Sequence, residues 1–188
     1  VNLDDWVAWA YANEIDERVI AFLRFRPDLI FSFDAAQNPM AFPTPRSWEF
    51  ANRALHKFEQ SQEVLLESLQ ACVGAAAGIE LNAFVEHLED MPDLDAIVSG
   101  NETSVPTEID LQYAVATALV GRAIRAEEGA EGNLILGNIL RYAQLFPQRE
   151  MGVMMISDMH RAIGERLFAV EEFALWADSV ADLMLYEA

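Results

Sequence analysis

Apolar residues recur at helical spacing along nearly the whole chain, and this period constrains the fold more than any other feature. Apolar groups three and four residues apart alternate with polar positions, as expected for amphipathic helices. Ile97-Val98 could form a short extended segment, but it has no evident partner strand. The pattern therefore predicts an all-α fold. The predicted helices cover residues 4–13, 17–25, 45–59, 62–73, 78–89, 111–126, 133–146, 149–168 and 171–186.

Two stretches interrupt the helical pattern. Residues 27–43 hold three prolines and a polar run, so they are predicted to form a loop. Asp90–Pro106 contains two prolines and a glycine, and it is the best candidate for a domain boundary. We therefore expect two helical parts, residues 1–92 and residues 93–188.

The chain has a formal net charge of −19, which is unevenly distributed. Residues 1–57 contain eight acidic and six basic residues, whereas residues 58–188 contain 23 acidic and six basic residues. Such an excess of negative charge repels polyanions and argues against DNA or RNA as a partner. The simplest explanation of the acidic part is a solvated surface that maintains solubility.

Cellular location is indicated by several absences in the sequence. No apolar run reaches the roughly 18 residues that a membrane span needs, and the acidic amino-terminal residues do not resemble a secretory signal. The single cysteine, Cys72, is predicted to be a small buried apolar residue. Together these features predict a cytoplasmic protein without membrane contact.

Metal-binding and nucleophilic sites are not predicted. The three histidines, His56, His87 and His160, lack the spacing of a metal-binding helix pair. Cys72 has no base near it in sequence, and no nucleophile-elbow motif occurs. The methionine-rich stretch 151–156 is predicted to belong to the core, although methionines can also form an adaptable binding surface.

The segment Phe42–Glu49, with sequence Phe-Pro-Thr-Pro-Arg-Ser-Trp-Glu, predicts an unusual helix start. The apolar residues that follow it at helical spacing are Phe50, Ala51, Ala54, Leu55 and Phe58. Thr44 suits an N-cap, and Pro45 suits the first helical position, where a missing N–H costs nothing. Arg46 then lies in the first turn, where the positive end of the helix dipole disfavours a cation. A nearby anion would offset this cost. The anion could be a structural carboxylate or a phosphate.

This segment resembles the sensor-two element in the helical lid of AAA+ ATPases, particularly of the MoxR-like branch. The stretch Ile20–Leu29 and the later run Val73–Ala77 are also similar to parts of that lid, and the resemblance extends over roughly residues 1–105. It implies an AAA+ lid-like domain followed by an acidic helical extension. It also implies that Arg46, positioned by Pro45, points at the γ-phosphate of ATP. Arg24 and Arg26 could approach the nucleotide or the next subunit.

The other parts of an ATPase are missing from this sequence. There is no phosphate-binding loop motif, and no apolar strand ends in the acidic pair that would hold Mg²⁺. The chain also begins at Val1 without a methionine. We therefore expect the carboxy-terminal part of a longer ATPase that binds ATP and Mg²⁺ in its core domain, with no cofactor held by this part alone.

The resemblance further implies a function and partners. The full-length protein would use ATP to remodel or mature a partner protein, as a chaperone-like machine. Its lid would contact its own core domain and its ring neighbours, commonly in a hexamer, and the partner could be a protein with a von Willebrand factor A domain. The alternative is a free-standing acidic helical interaction module without catalytic activity, in which Arg46 pairs with a carboxylate inside the fold.

Overall fold

The structure, a computed structural model, describes residues 1–33 and 40–184, the last five of these by their backbone alone. Helices account for 76% of these residues, and the described ranges contain no β-strand. The predicted all-α fold is confirmed. The α-helices are α1 Leu3–Ala12, α2 Glu17–Phe25, α3 Pro45–Phe58, α4 Gln62–Val73, α5 Ala75–His87, α6 Leu94–Val98, α7 Ile109–Arg125, α8 Ala130–Ala143, α9 Arg149–Ile163 and α10 Glu171–Met184. The 3₁₀-helices are Pro27–Ile30, Leu88–Asp90 and Gly164–Ala169.

The contacts within the chain divide it into two compact units. The first unit is Val1–Asp90 and contains α1 to α5, and the second unit begins at Met91 and contains α6 to α10. The predicted identities, a lid for residues 1–92 and an acidic extension for residues 93–188, stay predictions. Among the described helices, none combines the length and the apolar character needed to cross a bilayer.

Local side-chain chemistry sets where the first helices begin. Asp16 caps α2, as its position in the sequence suggests, and its Oδ1 accepts a hydrogen bond from the Arg18 N–H at 2.8 Å. Asn2 caps α1 in the same way through the Asp4 N–H. Both caps satisfy backbone donors that have no partner inside the helix.

Helix α5 begins at Ala75 and not at the predicted Gly78. Gly74 sets this start, and Gly78 has a different role inside the helix. Gly74 has φ 89°, a conformation that residues with a Cβ rarely adopt, so the chain turns there and the next helix starts at once. Gly78 lies inside α5, where an added Cβ would stand 2.6 Å from the Gln70 backbone nitrogen. The glycine therefore permits the close contact between α4 and α5.

The core of the first unit forms around α2. Phe22 contacts the rings of Trp48 and Phe84, with centroids 5.7 and 5.6 Å apart. Such aromatic pairs add to the stabilisation from burial. The remaining fully buried side chains include Ile20, Leu23, Leu55, Leu69 and Leu81. Helix α3 is fixed on this core through Trp48.

The core of the second unit forms around α7, which is buried along most of its length. Helices α8 and α9 pack against it and contribute Leu136, Ile139, Leu140 and Met155. Met151, Met155 and Ile156 are buried and Met154 is half-buried, so most of the methionine-rich stretch 151–156 belongs to the core, as predicted.

The helix predicted over 133–146 is α8, Ala130–Ala143, and so begins and ends three residues earlier than predicted. Two further predictions for the second unit are wrong. Ile97 and Val98 are not extended: they end α6, a short helix that Asp93 caps by accepting a hydrogen bond from the Asp95 N–H at 2.9 Å. The predicted helix 149–168 ends at Ile163, because Gly164 has φ 59° and a 3₁₀-helix follows it. In both cases a single residue, Asp93 or Gly164, determines the local backbone conformation more strongly than the spacing of the apolar residues does.

Candidate functional site

The start of α3 is tightly ordered by its own side chains. Thr44 is the N-cap and Pro45 the first helical residue, as predicted. The Thr44 Oγ1 accepts from the Ser47 N–H at 3.0 Å, and the Ser47 Oγ accepts from the Thr44 N–H at 2.8 Å. This reciprocal capping box, in which serine replaces the usual Glu or Gln, holds the turn that carries Arg46.

The inner face of α3 fixes the helix against rotation. Trp48 is completely buried, and its indole N–H donates to the Leu29 carbonyl oxygen at 2.9 Å. One turn later, the Asn52 Oδ1 accepts from the Asp16 N–H at 2.9 Å. Because two polar side chains on the buried face have specific partners, the opposite face of α3 is also fixed in orientation.

The outer face of α3 carries three cations and one exposed aromatic ring, which contacts two of them. Arg46, Phe50, Arg53 and Lys57 are all exposed, and at 100° per residue they lie within an arc of about 60°. The guanidinium carbons of Arg46 and Arg53 lie 5.8 and 5.9 Å from the Phe50 ring centroid, within the range of cation–π contacts. We call these four residues the α3 basic stripe.

The position of Phe50 differs from the sequence interpretation. Its spacing places it in the apolar pattern of α3, yet 41% of its surface is exposed. The ring does not enter the core, because Trp48, Ala51 and Leu55 already occupy the buried face. Its neighbours are instead the two arginines, one turn before it and one turn after it.

The α3 basic stripe has no acidic partner within the described part of the chain. Arg46, Arg53 and Lys57 form no ion pair with any carboxylate of residues 1–33 and 40–179. Glu49, the only carboxylate of α3 itself, lies one turn from both arginines but does not pair with either. Among the described residues, no carboxylate therefore forms an ion pair with Arg46 in the first turn.

Arg24 and Arg26, the other two predicted ligands of the nucleotide, are engaged within the fold. The Arg24 side chain is only 7% exposed, and it contacts Asp4 of α1 at 2.5 Å. Arg26 binds Asp28 at 2.9 Å and also contacts Glu80 of α5. Each arginine thus ties α2 to a neighbouring segment.

The electrostatic effects of the Arg26 pair are mutual. Hydrogen bonding to Arg26 lowers the pKa of Asp28, and hydrogen bonding to Asp28 raises the pKa of Arg26. Each shift stabilises the charged form, so the pair stays ionised over the physiological range. An arginine held in this way has less capacity to bind a further anion.

A further ionic cluster joins the start of α2 to the end of α3. Arg18 lies 2.7 Å from Asp16 and 2.8 Å from Glu59, and His56 lies 3.7 Å from Asp16. Burial alone would raise the pKa of Asp16, but hydrogen bonds and charge from Arg18, together with His56, lower it. The sequence interpretation missed this cluster, because its members are far apart in the chain.

An aromatic cluster precedes α3. Phe31 and Phe33 are more than half exposed, and the rings of Phe33 and Phe42 lie 4.7 Å apart. The Ser32 N–H donates to the Pro43 carbonyl oxygen at 3.1 Å, which brings the two chain segments together. Part of the predicted loop 27–43, residues 34–39, lies outside the described residues. The part that is described includes the 3₁₀-helix Pro27–Ile30.

The residues that the structure describes do not support a metal site or a nucleophilic site. They contain no group of His, Cys, Asp and Glu side chains arranged to hold a metal ion. Cys72 is half-buried, and burial raises the pKa of its thiol, which lowers its reactivity. Burial together with Glu102 raises the pKa of Tyr142 to about 12, and its hydroxyl donates to the Ser104 carbonyl oxygen. The exposed α3 basic stripe is the strongest candidate site.

Comparison with protein-family models, with characterised proteins and with solved structures found no significant match to this chain. The site therefore has to be interpreted from its own geometry and charge.

Proposed function

We propose that this chain is the carboxy-terminal lid region of a MoxR-like AAA+ ATPase. In that role Arg46 contributes positive charge to the γ-phosphate of ATP held by a core domain outside this sequence. One observation carries the proposal: Arg46 is exposed in a rigidly capped first turn without a carboxylate partner among the described residues. An anion from outside the unit would offset the unfavourable interaction of this cation with the helix dipole.

The ion pairs of Arg24 and Arg26 leave Arg46 as the single proposed contact with the phosphate. Both are predicted to approach the nucleotide or a neighbouring subunit, but both pair with carboxylates of their own unit. We therefore assign Arg46 the phosphate contact and Pro45 its positioning. Arg24 and Arg26 support the helix packing beneath it.

The proposed full-length protein would bind ATP and Mg²⁺ and work as a cytoplasmic ring, commonly of six subunits. It would remodel or mature a partner, with a von Willebrand factor A domain protein as one candidate. The lid would move with the state of the nucleotide, as mobile elements over ATP sites commonly do.

Arg46→Ala in the full-length ATPase tests the proposal. Removing a charge-assisted contact that strengthens in the transition state should lower turnover by about 30- to 1000-fold. Arg46→Lys should restore only part of the activity, because an ammonium lacks the planar fork of a guanidinium. Steady-state ATP hydrolysis, measured with helix content and melting temperature on the same samples, provides the comparison.

Arg53→Ala is the matched control, because it removes the same charge from the same helix face two turns further on. Its turnover should stay near that of the wild type. If Arg46→Ala hydrolyses ATP normally, or if Arg53→Ala fails equally, the assignment of Arg46 is wrong.

A free-standing interaction module is the second candidate function. In the form predicted from the sequence, Arg46 pairs with a carboxylate inside the fold, but Arg46 is exposed and forms no ion pair with a described carboxylate. The exposed stripe of three cations, however, also suits binding to another protein.

A further inference from the structure

The α3 basic stripe extends well beyond the proposed phosphate contact. Arg46 and Lys57 are eleven positions apart, which corresponds to roughly 16 Å along a helix at 1.5 Å per residue. A single phosphate at Arg46 would occupy only one end. Arg53 and Lys57 therefore require a separate explanation.

The position of each cation on α3 affects the helix differently. Lys57 lies in the last turn, where the helix dipole favours a cation, but Arg53 and Lys57 are like charges four residues apart, an arrangement that weakens a helix. Lys57 lies over the ring of Phe58, with Nζ 5.4 Å from its centroid. The aromatic contacts hold the three cations in place without neutralising them.

The surrounding charge distinguishes between classes of anionic partner. The first unit, Val1–Asp90, contains 15 acidic and six basic residues, and a DNA duplex carries a charge every ~1.7 Å along its length, so this excess of negative charge repels such a long polyanion. An anionic bilayer presents the same problem over a wider area. Charges more than about 8 Å away are largely screened at physiological salt, so a partner no longer than the stripe avoids most of this repulsion.

An acidic peptide segment fits these dimensions. Five extended residues span roughly 16 Å at about 3.3 Å per residue. Carboxylates can form charge-assisted hydrogen bonds with Arg53, and two-pronged contacts suit the guanidinium fork. The exposed ring of Phe50 offers a place for an apolar residue between the acidic ones.

We propose that the α3 basic stripe is a docking surface for an acidic, extended segment of a partner protein. Arg53 and Lys57 bind its carboxylates, and Phe50 orients the arginines on either side. This role does not depend on the proposed ATPase function, because Arg53 and Lys57, which bind the carboxylates, lie outside the assigned phosphate contact.

The test measures binding of a fluorescein-labelled hexaglutamate peptide to the chain by fluorescence anisotropy. The double variant Arg53→Glu/Lys57→Glu keeps Arg46 and should weaken binding at least about tenfold, since two attractions become repulsions. Phe50→Ala should weaken it by a smaller factor, about twofold to threefold, because the arginines lose a contact worth a fraction of a kcal/mol when exposed. Binding should also weaken as salt rises from 50 to 150 mM.

The control is Arg149→Glu, which makes one such charge reversal at an exposed residue at the start of α9. It should leave peptide binding unchanged, and circular dichroism should show all variants folded. Unchanged binding by the double variant, or equal loss with Arg149→Glu, would overturn the proposal.

Three further measurements distinguish the acidic peptide from other ligands of the α3 basic stripe. Inorganic triphosphate or a DNA duplex that binds more tightly than the peptide, and only when the stripe is intact, would overturn the acidic-peptide assignment. Self-association in analytical ultracentrifugation that the double variant abolishes would assign the surface to a second copy of the chain instead. Peptide binding lost in the double variant, with none of these effects, supports the proposal.

Discussion

The cations of α2 and those of α3 differ in what they contact. Arg18 and Arg24 lie on α2 and Arg26 follows it directly, and each binds at least one carboxylate of the first unit. The three on α3, Arg46, Arg53 and Lys57, face outward and pair with no carboxylate in the described ranges. Half of the twelve basic residues of the chain belong to these two groups.

This difference separates cations that hold the fold from cations available to a ligand. A paired and buried arginine contributes to stability, and its removal leaves a charge without its partner. An exposed and unpaired arginine contributes little to stability, so its loss should affect binding more than folding. Four measurements test this separation, in order of decreasing expected effect.

Arg24→Ala should have the largest effect on stability. The buried side chain would be lost, and Asp4 would remain without this partner. Because Asp4 is about half exposed, water would compensate part of the loss, so we expect destabilisation of about 2–3 kcal/mol. Urea unfolding followed by tryptophan fluorescence reports on the first unit, which holds three of the four tryptophans. A change below about 0.5 kcal/mol would contradict the structural role of Arg24.

Thr44→Ala should cost about 1 kcal/mol, because it removes the N-cap of α3 and one half of the capping box. Thr44→Ser keeps the hydroxyl and should be close to the wild type. The same unfolding experiment measures both. If the two variants are equally stable, the capping box does not hold the first turn of α3, and the positioning of Arg46 needs another cause.

Asp16→Asn should change how stability depends on pH. The pKa of Asp16 is lowered from its ordinary value of 3.8, so its ionised form stabilises the folded state above that pH and the contribution is lost as the pH falls through the folded pKa. Asparagine can still cap α2 but does not titrate. The stability advantage of the wild type should therefore be largest near pH 6 and shrink below about pH 4. A constant difference between pH 6 and pH 2 would show that Asp16 is not stabilised by Arg18.

Arg46→Ala should have the smallest effect on stability, within about 0.5 kcal/mol of the wild type. The side chain is exposed, and its contact within the unit is with the Phe50 ring. Its melting temperature should match that of Arg53→Ala. A loss above about 1 kcal/mol would mean that Arg46 holds the fold, and the distinction between α2 and α3 would fail.

The sequence predicted the helical class and several boundaries correctly because these depend on neighbouring residues. Thr44 caps α3 and Pro45 opens it, and α2 begins at residue 17, as predicted. The starts of α5 and α6 were less predictable, because Gly74 and Asp93 set them at positions that the spacing of the apolar residues does not indicate.

The candidate site was predicted only in part: Arg46 was identified, whereas the stripe that continues through Phe50, Arg53 and Lys57 was not. Its spacing of four, seven and eleven residues was a readable signal, but Phe50 counted as a core residue.

The sequence by itself determined that the chain is helical, where α2 and α3 begin, and that Arg46 lies in a first turn. These properties follow from interactions within a few residues of one another. Only the tertiary structure decided which cations are used by the fold. Arg24 meets Asp4 across 20 positions and Arg26 meets Glu80 across 54, and such partners are known only when the helices are packed. The tertiary structure also turned Phe50 outward, because Trp48, Ala51 and Leu55 fill the buried face of α3.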